Sequence, residues 1–256
     1  MAKESGLGAR LWVAGVDLSG DAGELSRIAT PRGVDNVTGI DKSAFERIYL
    51  GRDGEIAFQT FFNPAAAAAH PVLSALPTAD IPITYGHRAT IGAPAASMVA
   101  KQANYDGSRE ASGRFTLNVQ ALANSYGLEW GKLLTAGGQA ILTGAPQTSG
   151  WDSGIATATE FGLQAWLHVL AFDGTDVTLA IQDSDDDDAG GVGDDYVNVT
   201  GAVFAQTTQA ATSQRLETGR TQAVKRWLRV SATTSAGFTS VTAVVAAVKN
   251  GAAVTF

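Results

Sequence analysis

The sequence predicts a mainly β protein: an antiparallel β-sandwich or barrel domain with short helices, followed by a second β-sandwich domain. Three observations carry that reading. Runs that alternate apolar and polar residues recur in both halves of the 256-residue chain, the mark of antiparallel strands packed on one side only. Turn signals containing glycine separate several of these runs. Only 17% of the residues are charged, while 45% are hydrophobic and 29 are glycine, a balance commoner in β-rich assembly proteins than in helical enzymes.

Taken in order, residues 55–62 place Ile56, Phe58, Thr60 and Phe62 on one strand face and Glu55, Ala57, Gln59 and Phe61 on the other. Residues 114–122 alternate more cleanly, with Phe115, Leu117, Val119 and Ala121 against Arg114, Thr116, Asn118 and Gln120. Asp53-Gly54, Asp106-Gly107 and Asp173-Gly174 read as hairpin turns, because glycine tolerates the positive φ that such turns demand. Two short helices are expected. Asp41 can cap one through residues 42–48, and Asn63-Pro64 can open another that Pro71 breaks or kinks.

Residues 135–150, rich in Gly, Thr and Ser, read as a linker or long loop. A boundary near residue 145 divides the chain into domains 1–145 and 146–256. The second half offers strand candidates at residues 161–172, 177–182, 196–204, 223–232 and 238–249, a sandwich spacing. Within 223–232, Val224, Arg226, Leu228 and Val230 alternate with Lys225, Trp227, Arg229 and Ser231.

Catalytic chemistry is sparsely represented. The chain has no cysteine, which removes disulfides, thiolate metal sites and a cysteine nucleophile together. His70, His87 and His168 stand far apart, and none belongs to a metal-spaced pair. His70 reads as an ordinary histidine at a helix C-terminus and His168 as a satisfied core histidine. No nucleophile elbow and no phosphate loop occur. The reading is therefore no catalytic residue, no metal ligand, no cofactor and no enzyme. Trp166 and Trp227 raise a carbohydrate-binding alternative, against which core packing in alternating strands is the plainer account.

Charge is unevenly placed. The net charge is −7, with 12 basic and 13 acidic residues before residue 141 and 6 against 12 after it. Seven of those twelve acids lie in residues 183–195. The spacing of Asp183, Asp185 and Asp187 resembles the start of a calcium loop, but the glycine is misplaced and no glutamate closes it. A solvated hairpin tip is the simpler reading. Nothing resembles a basic nucleic-acid footprint. No apolar run approaches the ~20 residues that a membrane helix requires, and the N-terminus lacks the apolar core of a signal peptide. The expectation is a protein made in a cytoplasm and soluble when made, with no membrane partner.

Several phrases go beyond pattern. Val16-Asp-Leu-Ser-Gly-Asp21, Thr38-Gly-Ile-Asp-Lys-Ser-Ala-Phe-Glu-Arg-Ile48 and Arg52-Asp-Gly-Glu-Ile-Ala-Phe58 resemble major tail proteins of long-tailed bacteriophages infecting actinobacteria. The likeness continues through Phe62-Asn-Pro64, His70-Pro-Val-Leu-Ser-Ala-Leu-Pro77 and Tyr126-Gly-Leu-Glu-Trp130, and into Phe161-Gly-Leu-Gln-Ala-Trp-Leu-His-Val-Leu170.

The resemblance implies a tail-tube subunit that self-assembles into stacked rings around a lumen. Its implied partners are the tape-measure, tail-terminator and tail-tip proteins. Genomic DNA would pass through without specific binding, and the location would be the virion tail. On that reading Glu55, Gln59, Thr116, Asn118 and Gln120 are the candidates to face the lumen. The second half is either an outward decoration or a second tube-like module, so rings of six and of three subunits both stay open. Other virion structural roles, such as capsid decoration or tail tip, and a cell-surface carbohydrate-binding module are the competing classes.

Overall fold

The computed structural model describes residues 4–75, 79–155, 158–186 and 195–252. The first half runs through β1 (Arg10–Val13), β2 (Val16–Asp17), β3 (Ala22–Ala29), β4 (Arg32–Asn36), β5 (Arg47–Arg52) and β6 (Glu55–Phe61). A single helical turn, α1 (Ala69–Leu73), precedes β7 (Ile81–Gly86), β8 (Pro94–Arg109), β9 (Phe115–Ala123) and β10 (Glu129–Leu133). The second half comprises β11 (Gln139–Leu142), β12 (Trp151–Asp152), β13 (Leu163–Asp173), β14 (Val177–Ser184) and β15 (Val197–Val203). It ends with β16 (Thr212–Glu217), β17 (Trp227–Thr234) and β18 (Ser240–Lys249). The protein is mainly β and its sheets are antiparallel, as the alternating runs require.

Twelve strands form one sheet. Its main path is β16-β13-β18-β10-β8-β7-β1-β2, while β9, β6 and β3 continue from β8 and β11 joins β18. A second sheet, β12-β17-β14-β15, covers one face of the first, and β4 and β5 form a separate ribbon. The 16-residue β8 carries the first half because it changes partners along its length. Residues 95–100 pair with β7, and residues 100–109 pair with β9 across a bulge at Gln102 and Asn104. The Gln102 amide bridges that irregularity, donating to the carbonyls of Leu73 (2.9 Å) and Asn104 (3.0 Å).

Cross-strand pairs explain the first core. Ile56 lies opposite Ala121, Phe58 opposite Val119 and Thr60 opposite Leu117, and all six are buried. Directly opposed side chains on one face are the unit of sheet stabilisation. Leu11, Val13, Ile83, Met98 and Leu128 complete this cluster. In the second half, the core is built from the inward residues of β13, β14, β17 and β18, including Leu167, Ile181, Leu228 and Val245.

β18 joins the two halves. It pairs with β13 over most of its length, and on its other edge with β11 and β10. Val241 through Ala247 include six residues with at most 1% exposure, Val241, Ala243, Val244, Val245, Ala246 and Ala247. Alternation vanishes there because both faces are covered. Ala243, Val245 and Ala247 face the sandwich core, while Val244 and Ala246 meet Trp12, Ala93, Ala95 and Leu133 of the first half. Close approach at this seam needs small residues. A Cβ on Gly131 would stand 2.3 Å from the Ala247 carbonyl oxygen.

Several expectations are corrected. Residues 42–48 are not a helix; Arg47 begins β5, because pairing with β4 gives these residues backbone partners that a seven-residue helix without a core could not match. The second helix starts at Ala69 rather than at Asn63, whose side chain instead accepts from Ala65 N (3.1 Å) and donates to Asp21 (2.8 Å). Pro71 sits inside that helix, in the first turn, where no amide donor is required. None of the three Asp-Gly pairs closes a hairpin. Asp53-Gly54 leads from the ribbon into the large sheet, and Asp106-Gly107 lies within β8. Asp173-Gly174 does turn, with Gly174 at φ +142°, but it links β13 to β14 in different sheets.

Residues 135–150 are not a free linker either. They contain β11, and their threonines bond to β17, β18 and the residue two before β18. Thr135 Oγ1 accepts from Val245 N, Thr148 Oγ1 accepts from Val230 N (both 2.9 Å), and Thr143 Oγ1 donates to Phe238 O (2.8 Å). The expected strand at 223–232 begins only at Trp227. β16 had no counterpart among the expected strands.

The seam yields a direct test. Gly131→Ala forces a side chain against backbone, so the melting temperature should fall by several degrees, as a cost above ~1 kcal/mol does in chains of this size. Gly51→Ala, where a Cβ meets nothing within 4 Å, should leave it nearly unchanged. Equal melting temperatures for the two variants would show that the seam is not tight.

Candidate assembly surfaces

The histidines do not converge. His70 Nδ1 lies 3.1 Å from the Tyr105 hydroxyl, and His87 Nε2 lies 3.2 Å from Glu4 Oε2. His70 lies in the last turn of the five-residue α1, where its carbonyl accepts from Ser74 N. His168 is fully buried, as a core histidine should be. Among the described residues, no three His, Cys, Asp or Glu side chains come together in a way that could hold a metal ion. No helix among them is long and apolar enough to cross a membrane.

His168 instead joins the two halves. Gly15 N donates to Nδ1 (3.3 Å), which places the ring proton of the neutral imidazole on Nε2. Nε2 then donates to Thr84 Oγ1 (3.0 Å), and Thr84 lies 3.0 Å from Ser97 Oγ. Protonating Nδ1 would set two donors against each other in a dry site. Burial accordingly pushes the His168 pKa down to about 3.

A polar sheet face crosses β3, β6 and β9. Gln59 Nε2 donates to Asn118 Oδ1 (3.2 Å), and Gln120 Nε2 donates to Glu55 Oε1 (2.7 Å). Arg27 reaches Glu55 from β3 at 2.6 Å. The face is thus a ladder of amides and one ion pair, with little uncompensated charge. Asn118 is exposed, and Glu55, Gln59 and Gln120 are half-buried. Thr116, from the same alternating set, is only 5% exposed.

The ribbon is the most unusual surface. All eleven residues of β4 and β5 are exposed. Val34 lies opposite Tyr49 on one face, while Ile48 and Leu50 occupy the other. Tyr49 is 71% exposed, Phe45 in the connecting loop 69%, and Ile40 is fully open. A two-stranded ribbon is marginal alone, and one that is apolar on both faces has no core on either. Its root is held firmly: Asp53 N donates to Pro31 O (3.0 Å), and Arg52 pairs with Glu129 at 2.5 Å. β3 supplies a second open feature, since among the described residues it pairs with β6 alone and its outer edge has no strand.

The acidic run divides. Asp185, Asp186 and Asp195 are exposed, and residues 187–194 lie outside the described residues, so the calcium-loop question at Asp187 does too. Asp183 is not part of a solvated tip. It is 4% exposed, accepts from Lys225 N (2.8 Å), and burial raises its carboxyl above the usual range. Nearby, the forked Arg226 holds Asp152 down to about 2 through hydrogen bonds of 2.8 and 2.7 Å. Lys249 Nζ, lowered by burial, donates to Lys225 O (2.7 Å). Trp166 is fully buried, whereas Trp227 is half-buried beside Arg226, so core packing accounts for the first tryptophan only.

Two features were missed from sequence. The ribbon was hidden because Phe45 and Ile48 have helical spacing, and the joining role of His168 because its partners lie 84 and 153 residues away.

His168 makes a pH prediction. Its folded pKa lies below the ordinary 6.5, so the unfolded chain binds a proton that the folded chain refuses. Stability is therefore unaffected above pH 6.5 and falls as pH drops towards about 3, by about 1.4 kcal/mol per unit. Between pH 6.5 and 5, above the range of ordinary carboxylates, urea midpoints should fall with pH in the parent and stay flat in His168→Gln. Parallel slopes would refute the assignment.

No protein-family model matches the chain, and no curated protein matches it. Among solved structures, the chain is similar to the tail of an empty GTA particle with C6 symmetry, at 15% identity and a TM-score of 0.36, over 50% of this chain and 98% of that one. It is similar to the SPP1 Dit protein, a hub adsorption-apparatus protein of phages infecting Gram-positive bacteria, at 11% identity and a TM-score of 0.31, over 94% and 99%. It is also similar to a chain of the phage p2 baseplate in its activated conformation with Sr, at 9% identity and a TM-score of 0.36, over 94% and 98%. Likenesses this slight carry no weight for function, which rests on the residues.

Proposed function

We propose that this chain is a structural subunit of a bacteriophage tail, and more finely of the tail tube, forming stacked rings around a lumen that conducts DNA during ejection. The observation that carries the reading is the β4–β5 ribbon, apolar on both faces and exposed along its whole length. Exposed apolar surface of this extent marks a site of protein association. The unpaired edge of β3 supports the same conclusion, because a ring of subunits removes open edges by closing sheets upon one another. The resemblance of residues 16–21, 38–48 and 52–58 to tail-tube proteins covers β2, the loop between β4 and β5, the two ends of β5 and the start of β6.

The proposed mechanism is shape and surface rather than reaction. Glu55, Gln59, Asn118 and Gln120 face the lumen. A basic bore would hold DNA by its phosphates through counterion release; a face of amides with its one glutamate paired to arginine lets a polyanion slide. The first half forms the ring, and the second, with its surplus of acid, stands outward as a decoration or repeats the tube module. The partners on this reading are further copies of the chain and the tape-measure, terminator and tip proteins, in a virion assembled in the host cytoplasm.

Negative-stain microscopy of the purified protein tests the reading: rings or tubes are expected, and compact monomers that bind polysaccharide would favour a carbohydrate-binding module. Tyr49→Asp with Leu50→Asp should abolish assembly while leaving the fold intact, since exposed substitutions usually change stability by about 0.5 kcal/mol or less. Tubes formed by that variant would remove the ribbon from the interface. In a virion, Asn118→Lys with Gln120→Lys should leave tubes intact but impair DNA delivery. Full infectivity would sink the lumen assignment.

A further inference from the structure

Between the root of the ribbon and the second half lies a crevice of about 410 Å³, which shares Tyr49 and Leu50 with the apolar ribbon and is otherwise outside it. Arg32, Tyr49 and Arg52 line it from the ribbon, Tyr126 from the loop before β10, and Gln164 and Arg215 from β13 and β16. Three guanidinium groups thus converge from segments far apart in sequence.

Each is held in place. Arg215, with a side chain only 8% exposed, lies 3.5 Å from the centroid of the Tyr126 ring. Its Nη2 donates to Gln164 Oε1 (2.7 Å) and Glu217 Oε2 (2.6 Å), while its buried Nε has no acceptor. Arg52 is tied to Glu129. Arg32 lies over the Tyr49 ring at 4.8 Å and donates weakly to Leu50 O (3.4 Å); no carboxylate among the described residues pairs with it. Glu129 and Glu217 pair with Arg52 and Arg215, so Arg32 is the positive charge left in excess there. Oriented guanidinium forks are suited to planar carboxylates, and a partly desolvated site strengthens the pairing.

The chain carries a matching surface of opposite sign. Asp185, Asp186 and Asp195 are exposed, with Asp185 paired to Lys225 at 3.2 Å. Crevice and acidic surface are different patches of one molecule. A contact between them is therefore heterologous and repeats from subunit to subunit, as a ring or stack requires.

We propose that the Arg32–Arg52–Arg215 crevice is a docking site for carboxylates of the acidic surface of a second copy of this chain. The proposal rests on the assembly reading and adds a charged contact to its apolar ribbon. It also gives the surplus of acid a partner, where the sequence alone suggested only a surface screened by water and salt.

The absence of cysteine makes the test clean. Gly51→Cys, at the crevice rim and with open space for a side chain, and Asp186→Cys are made in separate chains, mixed, assembled and oxidised. A disulfide-linked pair should form in the mixture and not from either variant alone. In parallel, Arg32→Glu should raise the concentration needed for assembly about tenfold, the equivalent of 1.4 kcal/mol. Adding Asp185→Lys and Asp186→Lys to the same chain should restore assembly.

Rings or tubes that form without the mixed disulfide would overturn the docking site while leaving the subunit reading intact. A disulfide formed within single, dilute chains carrying both cysteines would place the chain's own acidic surface in the crevice and overturn the proposal equally. Absence of any assembly in the parent protein would defeat both readings together.

Discussion

The pairing of β18 with β13 on one edge and with β10 and β11 on the other is the constraint on which the rest of the structure depends. A strand buried on both faces must satisfy its backbone laterally, since no water reaches it. By doing so it makes the sheet of the first half continuous with that of the second. The small residues Gly131, Ala246 and Ala247 follow from this arrangement, because larger ones would hold the two backbones apart. So does the sparse charge of the chain's central strands. The hydrogen-bonded link from Gly15 through His168 to Thr84 and Ser97 crosses the same junction and has value only if the halves keep one relative position.

A sheet shared by both halves is compatible with the assembly role proposed above. Groups with perturbed pKa values facing a cleft are candidates for reactive chemistry. Here the strongly displaced group, His168, is sealed in the interior, and Asp152 is held by a structural arginine. What the molecule leaves open is instead a ribbon with apolar faces, an unpaired strand edge and a basic crevice. The ribbon has a fixed root at Arg52, Asp53 and Pro31, so its exposed side chains are presented in a defined direction. Such presentation lowers the conformational entropy lost on association.

Legibility followed burial. Ile56, Phe58, Leu117 and Val119 could be assigned to a core from alternation because that part of the sheet is covered on one side. β13, β14 and β18 were recognisable as apolar runs of strand length. Phe62 and Phe115 broke the pattern, being 42% and 37% exposed and packed against each other at 5.4 Å between ring centroids. β8 was obscured because a strand that changes partners halfway carries Asp106-Gly107 within it, where a local reading finds a turn.

From its residues alone, the chain was determined to be β-rich, free of thiol chemistry, poor in catalytic constellations and locally acidic, because these are properties of composition and of period-two patterning. The polar set Glu55, Gln59, Asn118 and Gln120 also followed, since neighbours two apart must share a face. Only the tertiary structure decided that Thr116 and Asp183 are buried, that Ile48 and Tyr49 are exposed on a ribbon, and that Arg32, Arg52 and Arg215 meet. Burial and convergence depend on which strands lie side by side, and the pairing of β18 with β10 brings together residues more than a hundred positions apart. No local pattern records that separation.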